Sequence, residues 1–319
     1  MNKKICYITG CLGFIGSYIT KAYLNKGWYV RGIDKITYAA NIDLLCDFNK
    51  YTNFIFEQKD INDIEFLYDC DYIINTAAET HVGNSIAKSE DFVRSNIDGV
   101  YHLLELLRNY RQENQCLPTL VHFSTDEVYG DILDGAHLET DILKPSNPYS
   151  ATKAAADMLI MAWGRTYKIP YIILRPTNNY GVGQYVEKLI PKTCKYIELN
   201  RKIPLHNNGE PIRNWLHAED TASAVQCVID NHHISKNQIY NICGGFEQKN
   251  IDTVKKVILA ATGSKDYDKY IDVSLIRPGQ DLRYALDDSK LRALGWSPTK
   301  NFDLELSNIV NYYKDKFIW

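Results

Sequence analysis

The sequence predicts an α/β fold in which a doubly wound parallel sheet carries a smaller C-terminal lobe. Three observations predict it. Short runs rich in β-branched and aromatic residues recur at 4–9, 28–33, 53–56, 72–75, 119–124 and 171–175 with helical texture between them, the alternation expected of a parallel sheet covered by helices. A glycine-rich turn, Gly10-Cys11-Leu12-Gly13-Phe14-Ile15-Gly16, closes the first run. After Arg175 the chain is punctuated by Pro, Asn and Gly (Pro176, Asn178, Asn179, Gly181, Gly183), which marks the start of a second lobe.

The first run delivers the chain into the glycine turn, and the turn opens a helix. Backbone N–H groups at Gly10, Gly13 and Gly16, beside the positive helix end, can hold a pyrophosphate as in a Rossmann-like fold. The spacing is G-x-x-G-x-x-G, and glycines alone would equally serve close packing; their place between strand and helix favours a dinucleotide. Asp34 ends the second run, where a carboxylate accepts bonds from an adenosine ribose and repels a 2′-phosphate. NAD is therefore expected over NADP, a preference that the adjacent Lys35 weakens slightly. Asp60-Ile61 ends the third run, as an adenine contact or as a helix cap. The stretches 88–113 and 148–168 are amphipathic (Val100, Leu103, Leu104, Leu107; Ala154, Met158, Met161, Ala162), with apolar surface for the sheet and for a homodimer partner. Residues 214–242 read as strand, helix, strand and are expected to return to the first domain. The expected organisation is thus 1–176 for the cofactor, with 177–213 and 243–319 as the substrate-binding lobe.

Two further motifs carry chemistry. Tyr149 and Lys153 are four apart on a helical stretch, which puts both on one face, so the ammonium can stabilise a phenolate that takes an alcohol's proton. Ser124-Thr125-Asp126-Glu127 ends the fifth run, placing two adjacent carboxyl groups at a strand's C-terminal end, where open α/β sheets bind their ligands. An acid and a base are then available beside a redox site.

Composition narrows the partners. A net charge of -3 with no run of like charges argues against nucleic acid. The eight cysteines (Cys6, Cys11, Cys46, Cys70, Cys116, Cys194, Cys227, Cys243) form no C-x-x-C, and His217, His232 and His233 lack ligand spacing, so neither a metal nor a disulfide framework is expected. Lys3-Lys4 before an apolar stretch mimics a secretory signal, but glycines interrupt it and no small-residue cleavage site follows. No apolar run is long enough to span a bilayer. A cytoplasmic chain free of the membrane is the expectation.

Several blocks together resemble the extended short-chain dehydrogenase/reductases, and within them the nucleotide-sugar 4,6-dehydratases. They are Gly10/Gly13/Gly16, Asp34 to Ala39, Ala77 to Val82, Ser124 to Gly130 and Asn147 to Lys153, continued nearly end to end through Asn178 to Gly181, Glu187 to Pro191, Ile212 to Leu216 and Arg277 to Tyr284. The resemblance implies a closed redox cycle. Tyr149, aided by Thr125, takes the proton of the sugar's 4-hydroxyl as hydride passes to NAD; Glu127 removes the C5 proton; Asp126 protonates the departing 6-hydroxyl; and the hydride returns to C6. It also implies NAD contacts at Phe14, Ile15, Asp34, Lys35, Asp60, Ile61, Thr76, Ala77, Ala78, Ser95 and Asn179, besides Tyr149 and Lys153. The nucleotide sugar falls to Thr80, Asn178, Lys188, Leu189, Leu205, His206, Arg213, Asn241 and Arg277, the two arginines on its pyrophosphate.

The departures bear on the substrate. His206 stands where many dTDP-glucose dehydratases have tyrosine and UDP-glucose dehydratases tend to histidine, which favours UDP. The usual His-Val-Asp has become His81-Val82-Gly83, removing a carboxylate that the 2-acetamido group of UDP-N-acetylglucosamine could replace. The expectation is a UDP-N-acetylglucosamine 4,6-dehydratase, with or without C5 epimerisation. UDP-glucose or dTDP-glucose is the alternative, and a non-catalytic NAD-binding sensor or scaffold is the alternative of another class.

Overall fold

The computed structural model describes residues 4–113, 117–275 and 281–315. Its strands are β1 (Ile5–Thr9), β2 (Tyr29–Asp34), β3 (Phe54–Gln58), β4 (Tyr72–Asn75), β5 (Thr119–Phe123), β6 (Tyr171–Pro176), β7 (Asn178–Tyr180), β8 (Ile203–His206), β9 (Ile212–His217), β10 (Gln238–Ile242), β11 (Phe246–Lys249) and β12 (Ile271–Leu275). The first six coincide with the predicted runs to within two residues.

Seven of them form one parallel sheet in the order β10-β6-β5-β4-β1-β2-β3. The chain winds outward from β1 to β3 and then, from β4, in the opposite direction, so the switch point lies between β1 and β4. A ligand crevice opens there in folds of this class. Helices cover both faces, which is why the central strands are apolar on both sides. Helices Phe14–Asn25 and Ala218–Asp230 pack one core through Ile19, Tyr23, Val225 and Val228 against Ile8 and Ile74. Helices Gly99–Glu113 and Pro148–Tyr167 pack the other through Val100, Leu103, Leu107 and Ile160 against Ile73 and Ile173. Each such side chain contributes about 1.5–3 kcal/mol of burial.

The amphipathic stretch 88–113 is interrupted. A helical turn Glu90–Val93 leads into a π-helical segment, Arg94–Asp98, before the regular helix begins at Gly99. Stretch 148–168 is a single helix. Asn147 and Ser150 close a capping box at its start, Pro148 occupies the first turn, and Lys168 ends it in the left-handed region at φ 57°, all as helix termini favour.

Beyond β6 the chain builds a second layer. β11, β9 and β7 form a three-stranded sheet and β12 pairs with β8, packed with helices Leu189–Glu198, Asn250–Thr262 and Phe302–Asp315 around Ile190, Trp215, Val257, Phe302 and Ile309. The 214–242 block therefore divides rather than returning whole to the main sheet. β10 takes the edge beside β6, and helix Ala218–Asp230 packs on the main sheet, but β9 is held between β7 and β11, whose backbone groups fill both its edges. Among the described residues no helix is long and apolar enough to cross a membrane, and no cluster of His, Cys, Asp or Glu is arranged for a metal.

Candidate active site

A cleft runs along the C-terminal ends of β1, β2, β4, β5 and β6. Its empty volume is about 1450 Å³ with the open mouth included, and its lining runs from the glycine turn at Gly10 to Glu127 and Tyr149.

One half is built by the glycine turn. Gly10 sits at φ +70°, and a Cβ there would lie 2.8 Å from the Ala77 backbone nitrogen; a Cβ on Gly16 would lie 2.0 Å from the Gly10 carbonyl. The backbones of β1, the first helix and the β4 loop thus meet closely at one wall of the cleft. The Asp34 carboxylate accepts the backbone N–H groups of Leu12 (3.0 Å) and Ile36 (2.8 Å), which leaves lone pairs for a ribose. Burial pushes its pKa up, with those two bonds opposing. Lys35 is engaged: its ammonium donates to Ser95 Oγ (3.0 Å) and lies 3.6 Å from Glu79 and 3.8 Å from Asp60. A cation so compensated is not aimed at a 2′-phosphate. Asp60 does cap the turn after it, accepting from Asn62 N (3.0 Å), and it also lines the cleft. Every residue expected at the cofactor lines this cleft except Lys153, which is 2% exposed beneath its floor.

The other half is built by β5 and the helix Pro148–Tyr167. Thr125 follows β5 as the cap of a 3-10 turn, accepting from Glu127 N (3.3 Å) and donating to Asp126 Oδ1 (3.0 Å). Asp126 is 3% exposed, and its second oxygen meets no partner among the described residues. Burial first, and the Glu127 charge second, push its pKa up to about 7. Glu127 accepts from Asn147 Nδ2 at 3.3 Å. Tyr149 lines the cleft, its phenol held well above its ordinary value by burial, then by Glu127, with the Thr125 hydrogen bond opposing.

Lys153 has a neighbour that the sequence did not single out. Its ammonium lies 3.3 Å from His122 Nε2, and the groups that shift Tyr149 are burial, Glu127, Thr125 and Asp126. His122 continues to Asn75 (3.0 Å), and Asn75 accepts from Thr9 (2.6 Å), forming a buried chain across β5, β4 and β1. Burial pushes Lys153 down to about 8 with Asp157 opposing, and holds His122 well below its ordinary value. Asp157 is itself paired to Arg175 at 2.9 Å, so a neutral imidazole is the direct contact of a buried cation.

The expected substrate residues are less unified. Thr80, Asn178 and Lys188 line the cleft, and the Lys188 ammonium reaches Thr80 O and Oγ1, both at 3.2 Å, across its mouth. Leu189 opens the helix after Lys188. Leu205 is buried against Val254 and Ile258, and His206 follows it at the end of β8. Arg213 lies under Tyr284, its guanidinium donating to the carbonyls of Ile212 (2.7 Å) and Asp281 (3.2 Å). Asn241 is not in the cleft at all: fully buried, it accepts from Tyr129 and donates to the carbonyls of His137 and Asp287, so its side-chain bonds are spent holding loops together. Arg277 lies outside the described residues. Sequence reasoning passed over Glu79, Ser124, Thr177, Gln184, Tyr185 and Glu187, which also line the cleft; most lay inside motifs already singled out.

Residues 7–308 match the GDP-mannose 4,6 dehydratase family. The chain belongs to that family. It is a nucleotide-sugar 4,6-dehydratase of the extended short-chain dehydrogenase/reductases, a hydro-lyase that uses NAD. A dTDP-glucose 4,6-dehydratase of Haemophilus influenzae is 38% identical over 96% of each chain. A low-salt glycan biosynthesis protein of Haloferax volcanii is 38% identical over 96% of this chain and 97% of its own. The crystal structure of a dTDP-glucose 4,6-dehydratase from Streptomyces venezuelae, with NAD bound, superposes with a TM-score of 0.91 at 33% identity, covering 98% of this chain and 97% of that one. The residues in this family member fit NAD: the glycine turn is closed to any Cβ at Gly10 and Gly16, Asp34 keeps acceptor capacity, and Thr177 Oγ1 and Asn178 Oδ1 are buried polar atoms without a partner among the described residues.

Proposed function

We propose that this chain removes water across C5 and C6 of a nucleoside-diphosphate hexose to give the 4-keto-6-deoxy sugar. The observation that carries the reading is Asp126, a buried carboxyl beside Glu127 and Tyr149 in the cleft, with one oxygen that meets no partner among the described residues; burial and the Glu127 charge push its pKa up to about 7. A plain dehydrogenase has no use for a second acid there; an elimination does. Tyr149 accepts the proton of the 4-hydroxyl in its phenolate form, which the Thr125 hydrogen bond favours. NAD supplies the hydride acceptor at C4 and later the hydride donor at C6. Glu127 accepts the C5 proton, acidified by the neighbouring ketone, and Asp126 gives its proton to the leaving 6-hydroxyl. Lys153 keeps a positive charge near the floor of the site.

For the sugar, dTDP-glucose is the first reading, supported by relatives of that activity at 33–38% identity. UDP-N-acetylglucosamine is the second, favoured by Gly83 and His206, with UDP-glucose between them. Gly83 supports it weakly: a Cβ there would face the His81 ring at 3.0 Å, so room for an acetamido group depends on His81 moving. Incubation with each of the three sugars in heavy water, followed by NMR, tests the reading and gives the C5 configuration. One 4-keto-6-deoxy product with solvent deuterium at C5 is expected, formed fastest from dTDP-glucose; no such product from any of them would sink the proposal.

The assembly is proposed as a homodimer through stretches 88–113 and 148–168, where Val93, Tyr101 and Met158 are 41%, 48% and 49% exposed. Sedimentation of wild type against Met158→Glu checks it, a dimer giving way to monomer.

A further inference from the structure

Asn147 uses the two ends of its amide for different tasks. Oδ1 accepts Ser150 N at 3.0 Å as the helix cap, and Nδ2 donates to Glu127 Oε2 at 3.3 Å. The orientation is fixed, because the oxygen must face the Ser150 N–H group. Around it the Asn147 N–H donates to Ser150 Oγ (3.2 Å), and Ser150 Oγ donates back to the Asn147 carbonyl (3.0 Å). Pro148 follows and Tyr149 comes next, its own N–H bound to Ser85 Oγ (3.2 Å). Capping needs only a side-chain oxygen, which Ser, Thr or Asp supplies as well. An N–H donor on the far side of the same group is what the amide adds.

We infer that Asn147 is a positioning residue for the base, tying the Glu127 carboxylate to the helix that carries Tyr149. The inference rests on the dehydratase reading above. In the elimination the C5–H bond breaks, its proton passes to Glu127, the electron pair becomes the C5–C6 double bond, and the 6-hydroxyl leaves as water with the Asp126 proton. Glu127 must meet a hydrogen on the same hexose whose 4-hydroxyl Tyr149 has just deprotonated, so base and phenol have to share one frame. Asn147 provides that frame in a single residue.

Asn147→Ser separates the two tasks, because serine keeps the cap and cannot reach Glu127 at the same time. In rapid mixing with substrate, formation of bound reduced nicotinamide should stay within about twofold of wild type. Deuterium entry at C5 should fall by about tenfold or more, as expected for loss of a hydrogen bond to a charged group, and reduced nicotinamide should accumulate. Asn147→Asp keeps the cap but sets a carboxylate against Glu127; its C5 exchange should fall further and its pH profile should move upward. Equal loss of both half-reactions in the serine variant, or loss of neither, would overturn the inference. Wild-type protein that oxidises no nucleotide sugar would instead overturn the dehydratase reading, and this one with it.

Discussion

Asp126→Asn isolates the acid. The folded protein holds this carboxyl at about 7 against an ordinary 3.8, so about half the molecules carry the proton at neutral pH where an unshifted carboxyl would carry it in about one of 1,600. Burial and the Glu127 charge together therefore raise the supply of acid by roughly three orders of magnitude. The cost appears in stability. Because the folded pKa is raised, this contribution is favourable below about pH 4 and is lost as pH rises through about 7, so the native state is strained above neutrality. Wild-type product formation should thus fall about tenfold per pH unit above 7. Asn cannot donate that proton; dehydration should drop by 10²-fold or more while substrate still reduces the bound nicotinamide, and the denaturation midpoint should rise relative to wild type at pH 8 and converge with it near pH 4. Product NMR, nicotinamide absorbance and urea titrations at both pH values check the three parts. A pH-independent wild-type rate from about pH 6 to 9, or an Asn variant that dehydrates normally, would refute the assignment.

Other substitutions probe the rest of the site. Gly16→Ala would place its methyl 2.0 Å from the Gly10 carbonyl and 2.7 Å from Thr76 Oγ1; NAD binding by fluorescence titration should be lost and stability should fall by about 1–3 kcal/mol. His122 Nδ1 accepts from the Asn75 amide, so the neutral ring carries its hydrogen on Nε2, facing Lys153. His122→Phe removes this donor, which only an uncharged amine can accept, so the lysine, already near 8, should keep its proton to higher pH. The alkaline limb of C4 oxidation should then shift up; a limb that does not move would leave His122 with a packing role alone.

The strands of the main sheet were legible because each is an apolar run ended by punctuation, and β1 with its glycines also announced where a dinucleotide would lie. The helix bearing Tyr149 was legible for a local reason too, since Asn147-Pro148 starts it. What escaped depends on contacts between distant segments. Nothing near residue 214 says that β7 and β11, rather than the large sheet, will claim β9. Asn241 is a ligand residue by the resemblance, yet its amide donors are taken by carbonyls 104 and 46 positions away. Lys153 was expected to serve Tyr149, and only the fold shows His122 waiting under it.

The widened turn at Arg94–Asp98 has a lasting consequence. Inserting a residue's worth of backbone there lets neighbours that a regular helix would set about 100° apart serve separate jobs: Ser95 greets Lys35, while Asn96 clasps the Glu79 backbone and Thr152. Shortening this stretch by one codon would yield a tidier coil and dismantle the junction between both halves of the crevice.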